Sequence, residues 1–268
     1  MAETNPLSPA KSLRRIRVLV QAVFAVVWLS PFGLRLMQVP GCVFHCYGCP
    51  LATLACPVGV VGNFAALHVV PLLAAGVVLV AASLVGSLTC GWACPFGFLQ
   101  DLLARLSARK LPIPAFLGYG RYVMLLGPVL LVPFLLGTET RLFVCRICPA
   151  GALEGGIGQL VVTGQVMSAI KWAILGAFLL AAVVTYRPWC RVFCPLGGFL
   201  ALFNRISVFH LRFLPHRCTE CNTCRSRCEV GVKVEQAVNR ANCIRCLECT
   251  SCGAIKAMLA SPVGGKKA

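Results

Sequence analysis

The sequence predicts an all-α membrane protein: four transmembrane helices forming two parallel two-span repeats, then a small cysteine-rich C-terminal domain. Three observations carry this. Of 268 residues, 58% are hydrophobic and only 12% charged, which sets the chain apart from soluble domains. The apolar residues gather into four long runs. The 18 cysteines fall in tight, recurring groups, which suits cofactor ligation better than disulfides or packing.

In chain order the apolar runs are 18–34, 67–88, 122–137 and 170–186. Each is near the ~20 residues that cross ~30 Å of hydrocarbon as a helix. The third contains Pro128 and Pro133, which membrane helices tolerate when neighbouring groups satisfy the freed backbone. Lys11, Arg14, Arg15 and Arg17 precede the first run. Arg105, Arg109, Lys110 and Arg121 lie between the second and third. Arg187, Arg191, Arg205, Arg212 and Arg217 follow the fourth. The other two connections are poorer, with Arg35 in one and Arg141, Arg146 and Lys171 in the other. This alternation predicts a multi-pass protein of a bacterial-type inner membrane, both termini and the C-terminal domain cytoplasmic. No small-x-small cleavage site follows the first run, which is read as an uncleaved span. The net charge of +17 then serves orientation; no polar basic domain exists to bind nucleic acid.

The membrane part repeats. Residues 90–107, "CGWACPFGFLQDLLARLS", and 190–207, "CRVFCPLGGFLALFNRIS", align Cys90/Cys190, Cys94/Cys194 and Pro95/Pro195 at an offset of 100. "CYGCPLATL" from Cys46 and "CRICPAGAL" from Cys145 align Cys49/Cys148 and Pro50/Pro149 at an offset of 99. Two matches in the same order indicate a duplicated unit. Each unit holds two spans, so both copies insert in the same direction about an axis along the membrane normal. The expected organisation is a cytoplasmic segment 1–15, repeats 16–109 and 110–209, a cysteine domain 210–260 and a tail 261–268. The axis brings Cys90, Cys94, Cys190 and Cys194 together on the cytoplasmic side, and the remaining membrane cysteines on the other. Pro95 and Pro195 suit the first turn of short interfacial helices.

The C-terminal domain reads Cys218-x2-Cys221-x2-Cys224-x3-Cys228, then Cys243-x2-Cys246-x2-Cys249-x2-Cys252. Three thiolates at x2 spacing wrap one cubane while the fourth comes from the other run, as in bacterial two-cluster ferredoxins. One [4Fe-4S] cluster would use Cys218, Cys221, Cys224 and Cys252, the other Cys243, Cys246, Cys249 and Cys228. Paired zinc knuckles are the competing reading. The continuous triple-x2 runs favour iron–sulfur, although Glu229 and Gly253 stand where a proline is usual. Arg225, Arg227, Arg240 and Arg245 are expected on a solvated basic surface.

With this module in place, the chain from about Arg14 to Lys256 resembles the NapH/MauN/NosR type of polyferredoxin-like membrane proteins. The resemblance rests on four spans, two C-x3-C-P motifs and the two-cluster domain. It implies electron transfer between the membrane or quinone pool, or a cytoplasmic donor, and a partner redox enzyme, often in support of metalloenzyme maturation. It maps the family's C-x3-C-P cysteines onto Cys90, Cys94, Cys190 and Cys194, and its cluster ligands onto the eight C-terminal cysteines.

Those four membrane thiols are candidates for an additional metal cluster, a dithiol relay or an unreactive structural turn. Cys42, Cys46, Cys49, Cys56, Cys145 and Cys148 go beyond the family pattern and form a candidate outer-face thiol or metal site. Pro50 and Pro149 stand where covalent haem attachment needs His. His45, His68, His210 and His216 read as structural or linker residues, and Glu139 and Glu154 as isolated acids. No phosphate loop, nucleophile elbow or carboxylate pair is present, so no catalytic residue is expected.

Overall fold

The computed structural model describes residues 8–29, 36–44, 46, 52–107, 110–164, 166–234 and 238–259. Arg35, His45, Cys49, Pro50 and Arg109 lie outside the described residues.

Helix α1 (Ser8–Trp28) starts upstream of the expected run and carries the basic residues along its first half. Strand β1 (Leu36–Pro40) pairs in parallel with the short β2 (Leu54–Ala55). Beyond β1 the chain turns into the molecule, and Val43 and Phe44 are buried. The expected span 67–88 is shorter as a helix. Helix α2 (Pro57–Ala66) ends before His68, whose φ is +57°, and α3 (Leu72–Val85) starts directly after Pro71. Proline has no N–H to continue a helix through the gap, and its preceding residue is pushed out of helical geometry. Short helices α4 (Leu88–Trp92) and α5 (Pro95–Leu103) follow.

Helix α6 (Phe116–Leu136) is, among the described residues, the one helix long and apolar enough to cross a membrane. Its Pro128 sits in a widened π stretch, Leu125–Leu131, where looser winding absorbs the missing hydrogen bond. Then come α7 (Val144–Ile147), a second π stretch at Gly151–Gly156, α8 (Ile157–Thr163) and α9 (Ala169–Val184). At 1.5 Å per residue α3 and α9 run about 21 Å and about 24 Å, short of a ~30 Å hydrocarbon core. Helices α10 (Pro188–Val192) and α11 (Pro195–Leu202) mirror α4 and α5. Both α5 and α11 start at the expected prolines. They do more than lie on an interface: Phe96, Gly97, Gln100, Leu196, Gly197 and Leu200 are buried.

The tail opens with β3 (Phe209–Phe213), continues through α12 (Thr223–Ser226) and closes with β4 (Ile255–Leu259). Strand β4 returns antiparallel to β3, from Phe209↔Leu259 to Phe213↔Ile255. The chain is therefore mostly helical rather than all-α. The ends of a cysteine loop domain need a clasp, and Leu211 and Ile255, almost fully buried, form it against Val234 and Cys249.

One core unites both halves of the helical part. Phe96 stacks on Phe178 at 5.0 Å, and Phe44 packs edge-on to Phe96 at 5.7 Å and against Trp189 at 6.3 Å. Beneath it lies a buried ion network. Arg187 grips Asp101 with two 2.6 Å hydrogen bonds, and Arg17 donates to the same carboxylate at 2.6 Å and to the Tyr186 hydroxyl at 2.8 Å. Burial raises the Asp101 pKa. Arg187 and Arg17 pull it the other way and prevail, holding it below the ordinary carboxylate range.

Candidate metal centres

In the tail, Cys228, Cys243, Cys246 and Cys249 line one cavity together with Val230, Val234 and Ile244. This is one of the two thiolate sets expected from spacing. Burial pushes the Cys246 thiol up to about 12, so a metal would displace protons on binding. For the other set, α12 carries Cys224 against the turn Glu248–Cys252, and Arg227 reaches Ser251 across that contact. Cys218 and Cys221 are exposed. Hydrogen bonds to Thr223 and Thr219 bring Cys221 down to about 7.

Between the tail and the helices lies a second cavity, here called tail-proximal. It is lined by Cys90, Cys94, Cys190 and Cys194, joined by Cys42 and Cys243. The two C-x3-C-P motifs are tied together by Gln100, whose side-chain oxygen accepts the Trp189 N–H at 3.2 Å, and by Arg187, which donates to the Cys90 carbonyl. Cys42 was expected on the opposite face and instead reaches this cavity. The inward course of residues 41–44 after β1 carries it there. The Gln100 amide donates to the Cys190 sulfur at 3.0 Å, and the Gly197 N–H to the Cys194 sulfur at 3.3 Å. Burial pushes Cys190 up to about 12, opposed by Arg187. Arg187 is itself fully buried and donates to the Cys90 carbonyl at 2.6 Å. The tail-proximal cavity and the tail cavity are alike in being tight, with free volumes of about 20 Å³ and about 30 Å³.

A third cavity, tail-distal, is lined by Cys46, Cys56, Cys145 and Cys148 and holds about 580 Å³. Lys171 and Arg146 also face it. Burial pushes Cys145 up to about 12. Glu154 is not isolated: its carboxylate accepts the Cys46 N–H, and burial raises its pKa to about 7 against that bond. Glu139 is ion-paired with Arg146 at 2.7 Å.

Sequence reading missed three features. Arg245 is fully buried rather than solvated. It donates to the Val85 carbonyl at 3.0 Å, the Ser207 hydroxyl at 2.7 Å and the Asn204 carbonyl, which docks the tail on the helices. The Asp101 network was passed over; its signal was an acid inside an amphipathic segment next to a C-x3-C-P motif. The third is a recurring Cys-Pro-x-Gly turn at Cys56–Gly59, Cys94–Gly97, Cys148–Gly151 and Cys194–Gly197. All four cysteines share one extended backbone geometry, φ −66°, −79°, −77° and −68° with ψ 122°, 117°, 122° and 110°. By this turn the structural counterpart of Cys148 is Cys56, where the sequence alignment had matched Cys49.

Among the described residues, no three Cys, His, Asp or Glu side chains are close enough to hold a single ion. A tetrahedral zinc site needs sulfurs about 3.8 Å apart, whereas a cubane holds its four sulfurs further apart. The all-sulfur donor sets fit clusters, which thiolates ligate.

A family profile described as a 4Fe-4S binding domain matches residues 67–114 and 172–213. These stretches carry Cys90/Cys94 and Cys190/Cys194, one C-x3-C-P motif each. An uncharacterised protein of Methanocaldococcus jannaschii is 33% identical over 179 residues, 63% of this chain and 69% of that one. The regulatory protein NosR of Stutzerimonas stutzeri is 31% identical over 161 residues, 58% of this chain and 21% of its own. The methylamine utilization ferredoxin-type protein MauN of Methylorubrum extorquens is 31% identical over 166 residues, 58% of this chain and 54% of its own. The chain thus spans about half of MauN and about a fifth of NosR. No solved structure matches.

Proposed function

Because the chain belongs to the NapH/MauN/NosR-type family of ferredoxin-type proteins, we propose that it passes single electrons through iron–sulfur clusters held in a membrane. Two [4Fe-4S] clusters sit in the tail, one on Cys218, Cys221, Cys224 and Cys252, the other on Cys243, Cys246, Cys249 and Cys228. A further cluster sits on Cys90, Cys94, Cys190 and Cys194, with Cys42 beside it. The observation that carries this reading is a shared wall: Cys243 and Ile244 line both the tail cavity and the tail-proximal cavity. Clusters held by these residues would supply one-electron chemistry on both sides of that shared wall. Arg187, Arg121 and the N–H donors to sulfur offset the negative charge of a thiolate-ligated cluster there.

The helices anchor the protein as two parallel two-span repeats, with both termini and the tail in the cytoplasm. Leu72, Leu73, Val80, Leu84, Val123, Leu126, Leu135 and Leu180 are exposed, an apolar surface that lipid would cover. Electrons move between a cytoplasmic donor or the quinone pool and a partner redox enzyme; the chain performs no bond chemistry of its own. Anaerobic purification with iron and sulfide counting and redox-titrated EPR tests this. Low-potential signals from the tail and from the C-x3-C-P cysteines are expected. Zinc without acid-labile sulfide would end the reading.

A second reading, delivery of reductant for maturation of another metalloenzyme, is favoured by the width of the thiol-lined tail-distal cavity. It predicts thiol–disulfide exchange at Cys46 or Cys145 during maturation of a partner.

A further inference from the structure

The tail-distal cavity repeats the construction of the tail-proximal one. In each, two Cys-Pro-x-Gly turns supply one cysteine apiece: Cys94 and Cys194 in the first, Cys56 and Cys148 in the second. Proline at the first helical position costs no hydrogen bond, so the cysteine is held rigidly at the mouth of the following helix. The glycine then leaves its N–H open to the sulfur: Gly197 donates to Cys194 at 3.3 Å and Gly151 to Cys148 at 3.4 Å. The glycine also lets the preceding cysteine of each pair come close. A Cβ on Gly97 would lie 3.0 Å from the Cys90 carbonyl, and one on Gly151 would lie 3.2 Å from the Cys145 carbonyl. Each cavity is thus completed by that second cysteine, Cys90 and Cys190 in one, Cys145 in the other, where Cys46 takes the fourth place.

Charge agrees with geometry. Arg187 and Arg121 stand by the tail-proximal thiols; Lys171 and Arg146 face the tail-distal ones. Four thiolates around a cluster need such cations when removed from water. Among the described residues no three of these thiols are placed to hold one metal ion, and the cavity has room for a larger group. Phe44 lines both cavities, so the two sites share a wall residue.

We propose that Cys46, Cys56, Cys145 and Cys148 bind a [4Fe-4S] cluster in the tail-distal cavity. This rests on the iron–sulfur reading of the C-x3-C-P cavity given above, whose turn it shares. The full-length protein purified without oxygen would then carry about sixteen irons, four for each of four clusters. Cys56→Ser/Cys148→Ser should lose roughly a quarter of the iron and one EPR component while the tail signals stay. Cys94→Ser/Cys194→Ser should lose a different component of the same size. Unchanged iron and spectra in Cys56→Ser/Cys148→Ser overturn the proposal. So does alkylation of these thiols by iodoacetamide in the folded, iron-loaded protein, or their recovery as disulfides. Should the double variant not fold, Cys46→Ser serves, because an oxygen ligand shifts the signal of a cluster it binds; an unaltered spectrum again overturns the proposal. Iron in the tail and at the C-x3-C-P cysteines alone would sink this site and leave the electron-transfer reading standing. Iron nowhere would sink both.

Discussion

The tail-proximal cavity is tight and backed by a fully buried arginine, whereas the tail-distal cavity is wide and faced by Lys171 and Arg146. Yet both hang on the same Cys-Pro-x-Gly turn. The turn fixes where a sulfur points; the surroundings decide what that sulfur experiences. Around the first cavity the cations are themselves held, Arg187 by Asp101 at 2.6 Å. Around the second, Arg146 is about half exposed and pairs with a solvent-facing glutamate. Fixed charge in a dry setting acts far more strongly than charge screened by water. Clusters held at the two sites would therefore differ in potential although they share one turn.

The largest expected effect separates the sites by position. Cys94→Ser/Cys194→Ser should abolish transfer from the reduced tail to any acceptor beyond it while leaving reduction of the tail itself intact. Stopped-flow spectra of the tail clusters and of the acceptor read the two steps separately. Transfer at the wild-type rate would mean that the tail-proximal cavity is no station.

Next comes Asp101→Asn. It leaves Arg187 and Arg17 buried without their carboxylate, and breaking a buried pair costs about 3–5 kcal/mol. Thermal unfolding in detergent should show the loss, together with a shifted potential for the tail-proximal signal only. Equal shifts at both cavities would erase the contrast between them.

A smaller effect follows from Gly91, where a Cβ would meet the Ile244 carbonyl at 2.6 Å. Gly91→Ala should loosen the seam between helices and tail by about 1–3 kcal/mol, seen as faster proteolysis between the two. Acid acts on the buried ion network. The folded-state pKa of Asp101 is depressed, so its contribution is present above the ordinary carboxylate pKa and is lost as pH falls through the folded value. Melting temperature should drop with acid in the wild type, and less in Asp101→Asn. Smallest is Gln100→Leu, which removes the amide donor to the Cys190 sulfur. One hydrogen bond is worth about 1 kcal/mol, roughly 40 mV for a one-electron couple. The tail-proximal potential should fall by that order while the tail potentials hold.

What the sequence disclosed was local. The x2 runs at Cys218–Cys224 and Cys243–Cys249 point to ligands because a few residues suffice to wrap a cluster, and the structure gathers Cys228, Cys243, Cys246 and Cys249 at one cavity. The C-x3-C-P pairs at Cys90 and Cys190 were legible through duplication, and the helices starting at Pro95 and Pro195 followed from proline chemistry. Two of the failures were non-local. Cys42 was placed on the wrong side because nothing in 36–44 says that the strand turns inward to pair with residues 54–55. Arg245 looked like surface because its partners, Val85, Asn204 and Ser207, are far away in sequence. The break between α2 and α3 was written in Pro71 yet outweighed by the apolar run around it. Cys56 was matched to nothing, because the alignment followed spacing from Cys46 instead of the glycine three residues on.

Ile244 and Cys243 belong to the walls of two rooms at once, and the Trp92 indole and the Ser87 hydroxyl are tied to the backbone of residues 243–245. A carrier that collides, unloads and departs needs its charged group on a surface free to swing; this one is bolted to its neighbour. Handover between them should then be first-order, indifferent to protein dilution and to the viscosity of the surrounding solvent.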